Sequence, residues 1–397
     1  MKRATDPLRR IPMPQKSLSF APLALLPLLL FALPCGGRSG AERPDPAAPG
    51  ASTTAEAKPA GAARPSFAAL TKRVRDGEFG EIHSFLVYRG GDLLAEEYFH
   101  GYDANRLHEI QSVTKSVTSL LVGIAIDQGK IRGIDQKLLD FFPDRPIANR
   151  DARKEAITLK DVLTMSSGLD WDEHDAPYGS PQNTFTTMYG RPDWIQYVLD
   201  RPMAHPPGEV FRYNSGTAIA LSAVLRQATG MDTQAFARKA LFEPLGIEAE
   251  WKTSTPEGLA HTGGGLSLTP RGLAKIGLLV LAGGQWQGRQ IVSESWIRQA
   301  TTRHLRNVRP DNPIPLDYGY LWWFLSLDDP TGRLPSDDLL FGWGADGQFL
   351  FILPKTKMVV VTTAGNPDRD FLSVNLLIRG VLPLLAPAGA KAGPPAG

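Results

Sequence analysis

The sequence predicts a mixed α+β fold in which helices flank an antiparallel sheet built from both ends of the folded region. Residues 83–102 alternate between apolar and polar side chains around a turn at 89–92, which is typical of a β-hairpin. Near the C-terminus, residues 349–353 and 358–363 are two further strand-like runs separated by a short turn. Because strands from both ends must share one sheet, the region between them is expected to form an inserted all-α domain.

The first strong helix signal follows the hairpin, at residues 112–128. Its apolar side chains recur at helical spacing: Val113, Val117, Leu120, Leu121 and Ile124. This pattern predicts a mostly buried helix that begins at a serine. A long region of helices and loops then extends to about residue 260, and an apolar helix at residues 371–385 closes the fold.

The composition is that of a globular protein. The chain has 397 residues, of which 42% are hydrophobic, with 43 Lys and Arg against 41 Asp and Glu. All of the excess positive charge lies in residues 1–66, and the remainder is slightly acidic, which disfavours a nucleic-acid-binding protein. Cys35 is the single cysteine and precedes the folded region, which excludes both a disulfide framework and a Cys-rich zinc site there.

The N-terminus predicts export. A basic segment that ends at Lys16 precedes an apolar run at residues 18–33, the organisation of a secretory signal or of an uncleaved membrane anchor. Cys35 and the two glycines after it resemble a lipoprotein acylation site, although Pro34 stands where such sites carry a small residue. The protein is expected in the periplasm or the cell envelope, as a free, anchored or lipidated form, and any membrane attachment is expected through the N-terminus only.

The expected organisation has two domains, one of them discontinuous. Residues 36–66 contain no Val, Ile, Leu, Met or aromatic side chain, so they cannot bury enough apolar surface to offset the entropy of ordering. The predicted segments are a signal peptide or anchor at 1–35, a disordered linker at 36–66, an α+β domain at 67–111 and 261–386, a mainly α domain at 112–260 and a disordered tail at 387–397.

Ser112 and Lys115 are three residues apart at the start of the predicted helix and therefore project from one face. A serine hydroxyl is a poor nucleophile until a base takes its proton, and a neutral lysine one turn away can do so. Burial would lower the lysine pKa from its ordinary value of ~10.4. A capped helix with a solvated lysine shows the same spacing, so the pair needs support from other motifs.

Two downstream segments supply that support: Pro206 to Gly216 (PPGEVFRYNSG) and Gly263 to Ala274 (GGGLSLTPRGLA). With the Ser-x-x-Lys pair, they resemble the penicillin-binding-protein and class C β-lactamase-like serine hydrolases over most of residues 75–385. The resemblance implies a β-lactamase/transpeptidase-like fold, with Ser112 as nucleophile and Lys115 as base.

The second and third sequence motifs of the family, which are called boxes, match this chain less fully. The second, Tyr-x-Asn, places its proton-transferring tyrosine at Tyr213, but Ser215 stands where the asparagine would bind substrate. The third, Lys- or His-Thr-Gly, is missing in its usual form, and residues 342–348 (GWGADGQ) resemble the variant in relatives of 6-aminohexanoate-dimer hydrolase. The resemblance implies that an N–H near Gly347 or Gln348 joins that of Ser112 in an oxyanion hole.

Two further side chains are candidates for the cleft. His261 directly precedes the triple-glycine segment, and Trp171 begins a loop with Asp172 and Glu173. The alternatives are an ordinary loop histidine and a surface turn with one anchoring aromatic side chain. The histidines of the chain never adopt a metal-binding spacing, and we expect no metal.

These motifs predict an exported serine hydrolase that cleaves an amide or an ester through an acyl-enzyme on Ser112. We expect a small-molecule or peptide-like substrate, no nucleic acid, and no metal or organic cofactor. Two alternatives stay open: a peptidoglycan DD-peptidase or β-lactamase, and a non-catalytic protein that keeps the fold as a binding protein or sensor.

Overall fold

The computed structural model describes residues 66–251, 255–310, 315–327 and 337–385. The predicted leader with Cys35, nearly all of the predicted linker, and the predicted tail lie outside the described residues. Among the described helices, none has the length and apolar character needed to cross a membrane.

Strands from both ends of the described chain form one antiparallel sheet. In chain order the strands are β1 (Ile82–Arg89), β2 (Asp92–Tyr98), β3 (His108–Glu109), β4 (Ala249–Trp251), β5 (Leu266–Leu268), β6 (Gln285–Trp286), β7 (Arg289–Gln290), β8 (Asp317–Tyr318), β9 (Trp323–Leu327), β10 (Asp337–Gly344), β11 (Gln348–Leu353) and β12 (Met358–Ala364). The main sheet has the order β2-β1-β12-β11-β10-β9-β8, while β3-β5-β4 and β6-β7 form two small sheets. The predicted hairpin and C-terminal strands are therefore confirmed.

The helices lie mainly between the strands from the two ends of the chain. In chain order they are α1 (Ala68–Arg75), α2 (Val113–Asp127), α3 (Ala152–Ala156), α4 (Leu159–Leu163), α5 (Thr184–Tyr189), α6 (Trp194–Leu199), α7 (Ser215–Thr229), α8 (Thr233–Ala237), α9 (Glu243–Leu245), α10 (Pro270–Leu281), α11 (Glu294–Ala300), α12 (Phe371–Asn375) and α13 (Leu382–Leu385). Short 3-10 or π turns lie at Leu138–Phe141, Arg238–Phe242, Ala345–Gly347 and Leu376–Val381. The bounds of the two predicted domains stay a prediction.

The central strands read as continuous apolar runs because the sheet is covered on both faces. Every residue of β11 and β12 is buried. Helix α10 packs on β1, β11 and β12, and its Gly277 lets the helix backbone approach closely. A Cβ atom at Gly277 would lie 2.6 Å from Val359 and 2.8 Å from Leu350.

Helix α2 begins directly after Ser112, the predicted nucleophile, and runs through the core. It packs between α7 and β10, and its residues from Val113 to Ala125 are all buried, as the sequence predicts. Its buried hydroxyl groups hold nearby loops: Ser116 Oγ donates to the Leu321 carbonyl at 2.8 Å, and Thr118 Oγ1 donates to the Thr262 carbonyl at 2.9 Å. These bonds set the distance between α2 and the loops around the candidate site.

Candidate active site

Ser112 lies at the N-cap of α2, immediately before the buried part of the helix. Its side chain makes no capping hydrogen bond, so the hydroxyl is not used to close the helix end. The preceding residue, Gln111, has a left-handed φ of 48°, a conformation that is uncommon for a residue with a side chain. Backbone strain of this kind persists where the surrounding structure enforces it, and it is frequent at active sites.

Lys115 approaches Ser112 from one turn further along α2. Its Nζ donates to Ser112 Oγ at 3.0 Å and to the carbonyl oxygen of Gly263 at 2.5 Å. The lysine is only 2% exposed, so its ammonium group is removed from bulk water. The two residues that the sequence pairs are therefore within hydrogen-bond reach, as nucleophile and base must be.

Burial lowers the pKa of Lys115 to about 8, and the negative charge of Glu173 acts against that shift. At that value about one lysine in ten is neutral at pH 7, compared with about one in a few thousand at the ordinary pKa. Desolvation therefore makes a usable population of the free base, because a charged amine is disfavoured where water is excluded.

Tyr213 completes the group of three side chains. Its ring centroid lies 4.9 Å from Lys115 Nζ, and its side chain interacts with those of Ser112 and Ser215. Burial raises the pKa of Tyr213 well above its usual value, and the charge of Glu173 acts in the same direction. The phenol is therefore protonated at neutral pH and can donate to a neighbouring oxygen or nitrogen atom.

Glu173 holds the start of α7 just after Tyr213. The carboxylate is 3% exposed and accepts from the Ser215 backbone N–H at 2.7 Å and from the Ser215 hydroxyl at 2.6 Å. It also accepts from Trp171 Nε1 at 2.9 Å. Ser215 is itself buried, so the structure gives it a partner inside the protein in place of the substrate contact that the sequence predicts.

The two further cleft candidates occupy different positions. Trp171 is 3% exposed, and its ring packs against Gly216, where a Cβ atom would lie 2.5 Å from the indole. Trp171 therefore supports α7 from within the core and does not line an open cleft. His261 is also buried, and its Nε2 pairs with the Tyr189 hydroxyl at 2.9 Å. Burial, and then the charge of Lys115, lowers the pKa of His261 to about 4, so the ring is neutral at pH 7.

Comparison with known proteins is consistent with this geometry. The sequence profile of the β-lactamase family matches residues 77–381. The chain belongs to the β-lactamase family. The resemblance inferred from the motifs is therefore confirmed, and so is the α+β fold of β-lactamase/transpeptidase type.

Related proteins include a hydrolase and an esterase. The 6-aminohexanoate-dimer hydrolase of Paenarthrobacter ureafaciens is 26% identical over 313 residues, which are 75% of this chain and 76% of that protein. Lovastatin esterase of Penicillium rubens is 29% identical over 158 residues, but these cover only 38% of this chain and 35% of the esterase.

Solved structures show the same fold at lower identity. A penicillin-binding protein homologue from Caulobacter crescentus has a TM-score of 0.60 and 18% identity, covering 78% of this chain and 95% of the homologue. EstCE1, a hydrolase with promiscuous acyltransferase activity, has a TM-score of 0.62 and 16% identity, covering 79% and 94% of the two chains.

The third box of this β-lactamase-family chain differs from the sequence prediction. The side chain of Gln348 is buried and bridges β11 to β12, because its Nε2 donates to the Ala364 carbonyl at 2.6 Å and its Oε1 accepts from the Ala364 N–H at 3.1 Å. A Cβ atom at Gly347 would meet Ser373 Oγ at 2.7 Å, while one at Gly344 would meet Gln111 Cβ at 2.9 Å. The end of β10 at Gly344, and not the Gly347–Gln348 step, therefore packs against Gln111, the residue before Ser112.

The structure thus brings Ser112, Lys115, Tyr213 and Ser215 together and adds Glu173, which the sequence showed only as part of a loop. A single glutamate has no local pattern that marks it as buried, so its role could not be predicted. Within the described ranges, no group of three or more His, Cys, Asp or Glu side chains is placed to hold a metal ion.

Proposed function

We propose that the protein is an exported serine hydrolase that cleaves an ester or an amide through an acyl-enzyme on Ser112. The observation that carries this proposal is the contact between Lys115 Nζ and Ser112 Oγ, with a buried lysine whose pKa is lowered to about 8. A buried base within reach of a serine hydroxyl is the arrangement that nucleophilic catalysis requires.

In the acylation step, neutral Lys115 takes the proton of Ser112 while Oγ attacks the substrate carbonyl carbon. The resulting ammonium keeps its hydrogen bond to the Gly263 carbonyl. Tyr213 donates its proton to the leaving group as the carbonyl-to-leaving-group bond breaks, and it recovers a proton from Lys115. Water then attacks the acyl-enzyme with the same groups acting in reverse, which regenerates Ser112.

The negative oxygen of the tetrahedral intermediate needs donors on the opposite side of the carbonyl. The Ser112 N–H lies at the N-terminus of α2, where the helix dipole favours negative charge. We assign the second donor to the backbone at Gly344–Ala345, since Gly344 packs against Ile110 and Gln111, next to the nucleophile. Two such backbone donors form an oxyanion hole.

The names of the relatives support an amide or ester bond as the target. One acts on a 6-aminohexanoate dimer, another is a lovastatin esterase, and EstCE1 is a hydrolase with acyltransferase activity. The named alternatives, a DD-peptidase or β-lactamase and a non-catalytic sensor, predict different substrates or no turnover.

The proposal is tested with a fluorophosphonate probe followed by mass-spectrometric mapping of the modified residue. We expect the label on Ser112, and turnover of p-nitrophenyl acetate that falls on the order of 10⁴-fold or more in Ser112→Ala. Ser119→Ala, two turns further along the same helix, is the matched control and keeps the label, because the structure shows no hydrogen-bond partner for its buried hydroxyl. Labelling of Ser112→Ala at an undiminished rate would exclude the nucleophile, and labelling of Ser112 without ester turnover would favour the sensor.

Export is proposed from the N-terminal sequence. Fractionation of cells that express the whole chain should place the protein in the envelope or periplasm. Metabolic labelling with palmitate, with Cys35→Ser as the control, separates lipidation from a cleaved signal or an uncleaved anchor. A protein that is found only in the cytoplasm, with its first residues intact, would contradict export.

A further inference from the structure

Two exposed tyrosines lie beside the candidate site. Among the described residues, Tyr178 and Tyr189 are the large hydrophobic side chains that are exposed, at 36% and 47%. Tyr178 lies in the loop after Glu173, and Tyr189 ends α5. Contiguous apolar surface that stays exposed is typical of interaction sites and ligand-binding grooves.

Both tyrosines are tied to the site through their hydroxyl groups. Tyr189 OH pairs with His261 Nε2 at 2.9 Å, and Tyr178 OH donates to Glu173 Oε1 at 3.3 Å. The polar end of each side chain is therefore satisfied inside the protein.

Phe185 joins the two tyrosines into one surface. Its partly buried ring makes an edge contact with Tyr178 at 5.9 Å between centroids and another with Tyr189 at 5.0 Å. It also lies 6.4 Å from the ring of His261, whose pKa responds to the charge of Lys115. We call Tyr178, Phe185 and Tyr189 the aromatic lip.

We propose that the aromatic lip binds an apolar group of the substrate, an alkyl chain or an aryl ring on one side of the scissile bond. The inference rests on the proposed hydrolase function and adds the substrate class. The hydroxyl anchors hold the tyrosine rings in fixed positions, so little side-chain entropy is lost when an apolar group packs on them. Tyr178 contacts Glu173, which holds Ser215, and Tyr189 contacts His261, whose ring lies beside Gly263, the carbonyl partner of Lys115. A group bound on the lip therefore belongs to a substrate held at Ser112.

The experiment measures kcat/KM for two ester series. One series lengthens the acyl chain of p-nitrophenyl esters from acetate to octanoate, and the other lengthens the alcohol of alkyl acetates from ethyl to octyl. We expect kcat/KM in one series to rise about two- to fourfold per methylene, the range for half to full burial of each group. The series that responds shows which side of the scissile bond the lip contacts.

Paired variants test the lip itself. The double variant Tyr178→Ser, Tyr189→Ser is the serine pair. In it, the ratio of kcat/KM for the longest ester to that for the shortest should fall about tenfold or more. The double variant Tyr178→Phe, Tyr189→Phe is the phenylalanine pair. It removes the hydroxyl anchors and keeps the rings, so most of that ratio should remain. An unchanged ratio in the serine pair, or no chain-length preference in either series, would overturn the proposal.

Failure of the lip can be told apart from failure of the hydrolase proposal. Ser112-dependent turnover without chain-length preference overturns only the lip. Without any turnover, fluorescence of the uncharged probe N-phenyl-1-naphthylamine tests the surface directly: binding that the serine pair loses and the phenylalanine pair keeps supports an apolar site. If the serine pair instead converts a dimer to a monomer in sedimentation and keeps the ester ratio, the lip contacts a second copy and the substrate proposal is wrong.

Discussion

The Glu173 carboxylate accepts two hydrogen bonds from Ser215, one from the backbone N–H and one from the hydroxyl. Ser215 is the first residue of α7, and Tyr213 lies two residues before it. The pair therefore fixes the start of the helix and, through it, the position of the tyrosine hydroxyl. At the position of the second motif's asparagine, this chain has Ser215, whose hydrogen-bonding groups are bonded to Glu173 inside the protein.

The first prediction concerns Glu173 as a positioning residue. Glu173→Gln removes the negative charge that raises the pKa of Lys115, so the lysine pKa should fall further below about 8. The acidic limb of the pH profile of kcat/KM should shift to lower pH. The plateau should fall about 10- to 100-fold, because hydrogen bonds to a charged group are lost. The measurement is ester hydrolysis between pH 5 and 10, with circular dichroism to show that the variant folds.

Ser215→Ala is the matched control for this prediction. It removes the hydroxyl contact with Glu173 and keeps the carboxylate charge, so its acidic limb should stay near that of the unmodified protein while its plateau falls. If Glu173→Gln lowers the plateau without moving the acidic limb, the glutamate has a structural role only.

The second prediction follows from the lowered pKa of Lys115. Since the base must be neutral, kcat/KM should rise as pH increases through about 8 and level off above it. Lys115→Arg is permanently charged at these pH values and should be inactive while still folded. An active arginine variant, or a profile that is flat from pH 6 to pH 10, would show that another group accepts the proton of Ser112.

The third prediction concerns β-lactam substrates. The two groups that would replace the family's substrate-binding side chains are used internally, because Ser215 bonds to Glu173 and Gln348 bonds to Ala364. Asp370 accepts from Trp343 Nε1 near the end of β10, and burial raises its pKa to about 6, so it is mostly ionised at pH 7 and disfavours a substrate carboxylate. Loss of one charge-assisted contact of ~2 to 3 kcal/mol corresponds to about 30- to 150-fold in kcat/KM.

A chromogenic cephalosporin and p-nitrophenyl butyrate, compared at pH 8, measure this difference. The ester should be the better substrate by at least that factor. A cephalosporin that equals or exceeds the ester would mean that the protein is a β-lactamase and that other side chains bind the carboxylate.

The fourth prediction concerns the packing of α2. A Cβ atom at Gly123 would lie 2.2 to 2.4 Å from atoms of the buried Trp296 ring. Gly123→Ala should therefore lower the free energy of unfolding by about 1 to 3 kcal/mol, although alanine favours a helix more than glycine does. Gly190→Ala is the control, because its nearest contact is the Thr187 carbonyl at 3.6 Å and its effect should stay within about 0.5 kcal/mol. Urea unfolding of both variants gives the comparison, and equal midpoints would contradict the packing argument.

The elements that could be predicted are those whose signals are local. The β1–β2 hairpin, the strands β11 and β12, and helix α2 each have a periodic or continuous apolar pattern within one segment. Strand β10 was not predicted because Asp337, Asp338, Gly342 and Gly344 have low strand propensity, and the strand forms because β9 and β11 pair with it on either side. The C-terminal helix was predicted as continuous, but it is interrupted by a π turn at Leu376–Val381.

The sequence by itself determined that Ser112 and Lys115 share one face at the start of α2, because helix geometry places residues three apart on one face whatever surrounds them. It could not determine which partner Ser215 or Gln348 would take. Glu173 precedes Ser215 by 42 residues, and Gln348 meets Ala364 through the register of β11 and β12. Only the tertiary structure decided these partners, because a buried polar group bonds to whichever segment the packing of the whole core brings within about 3 Å of it.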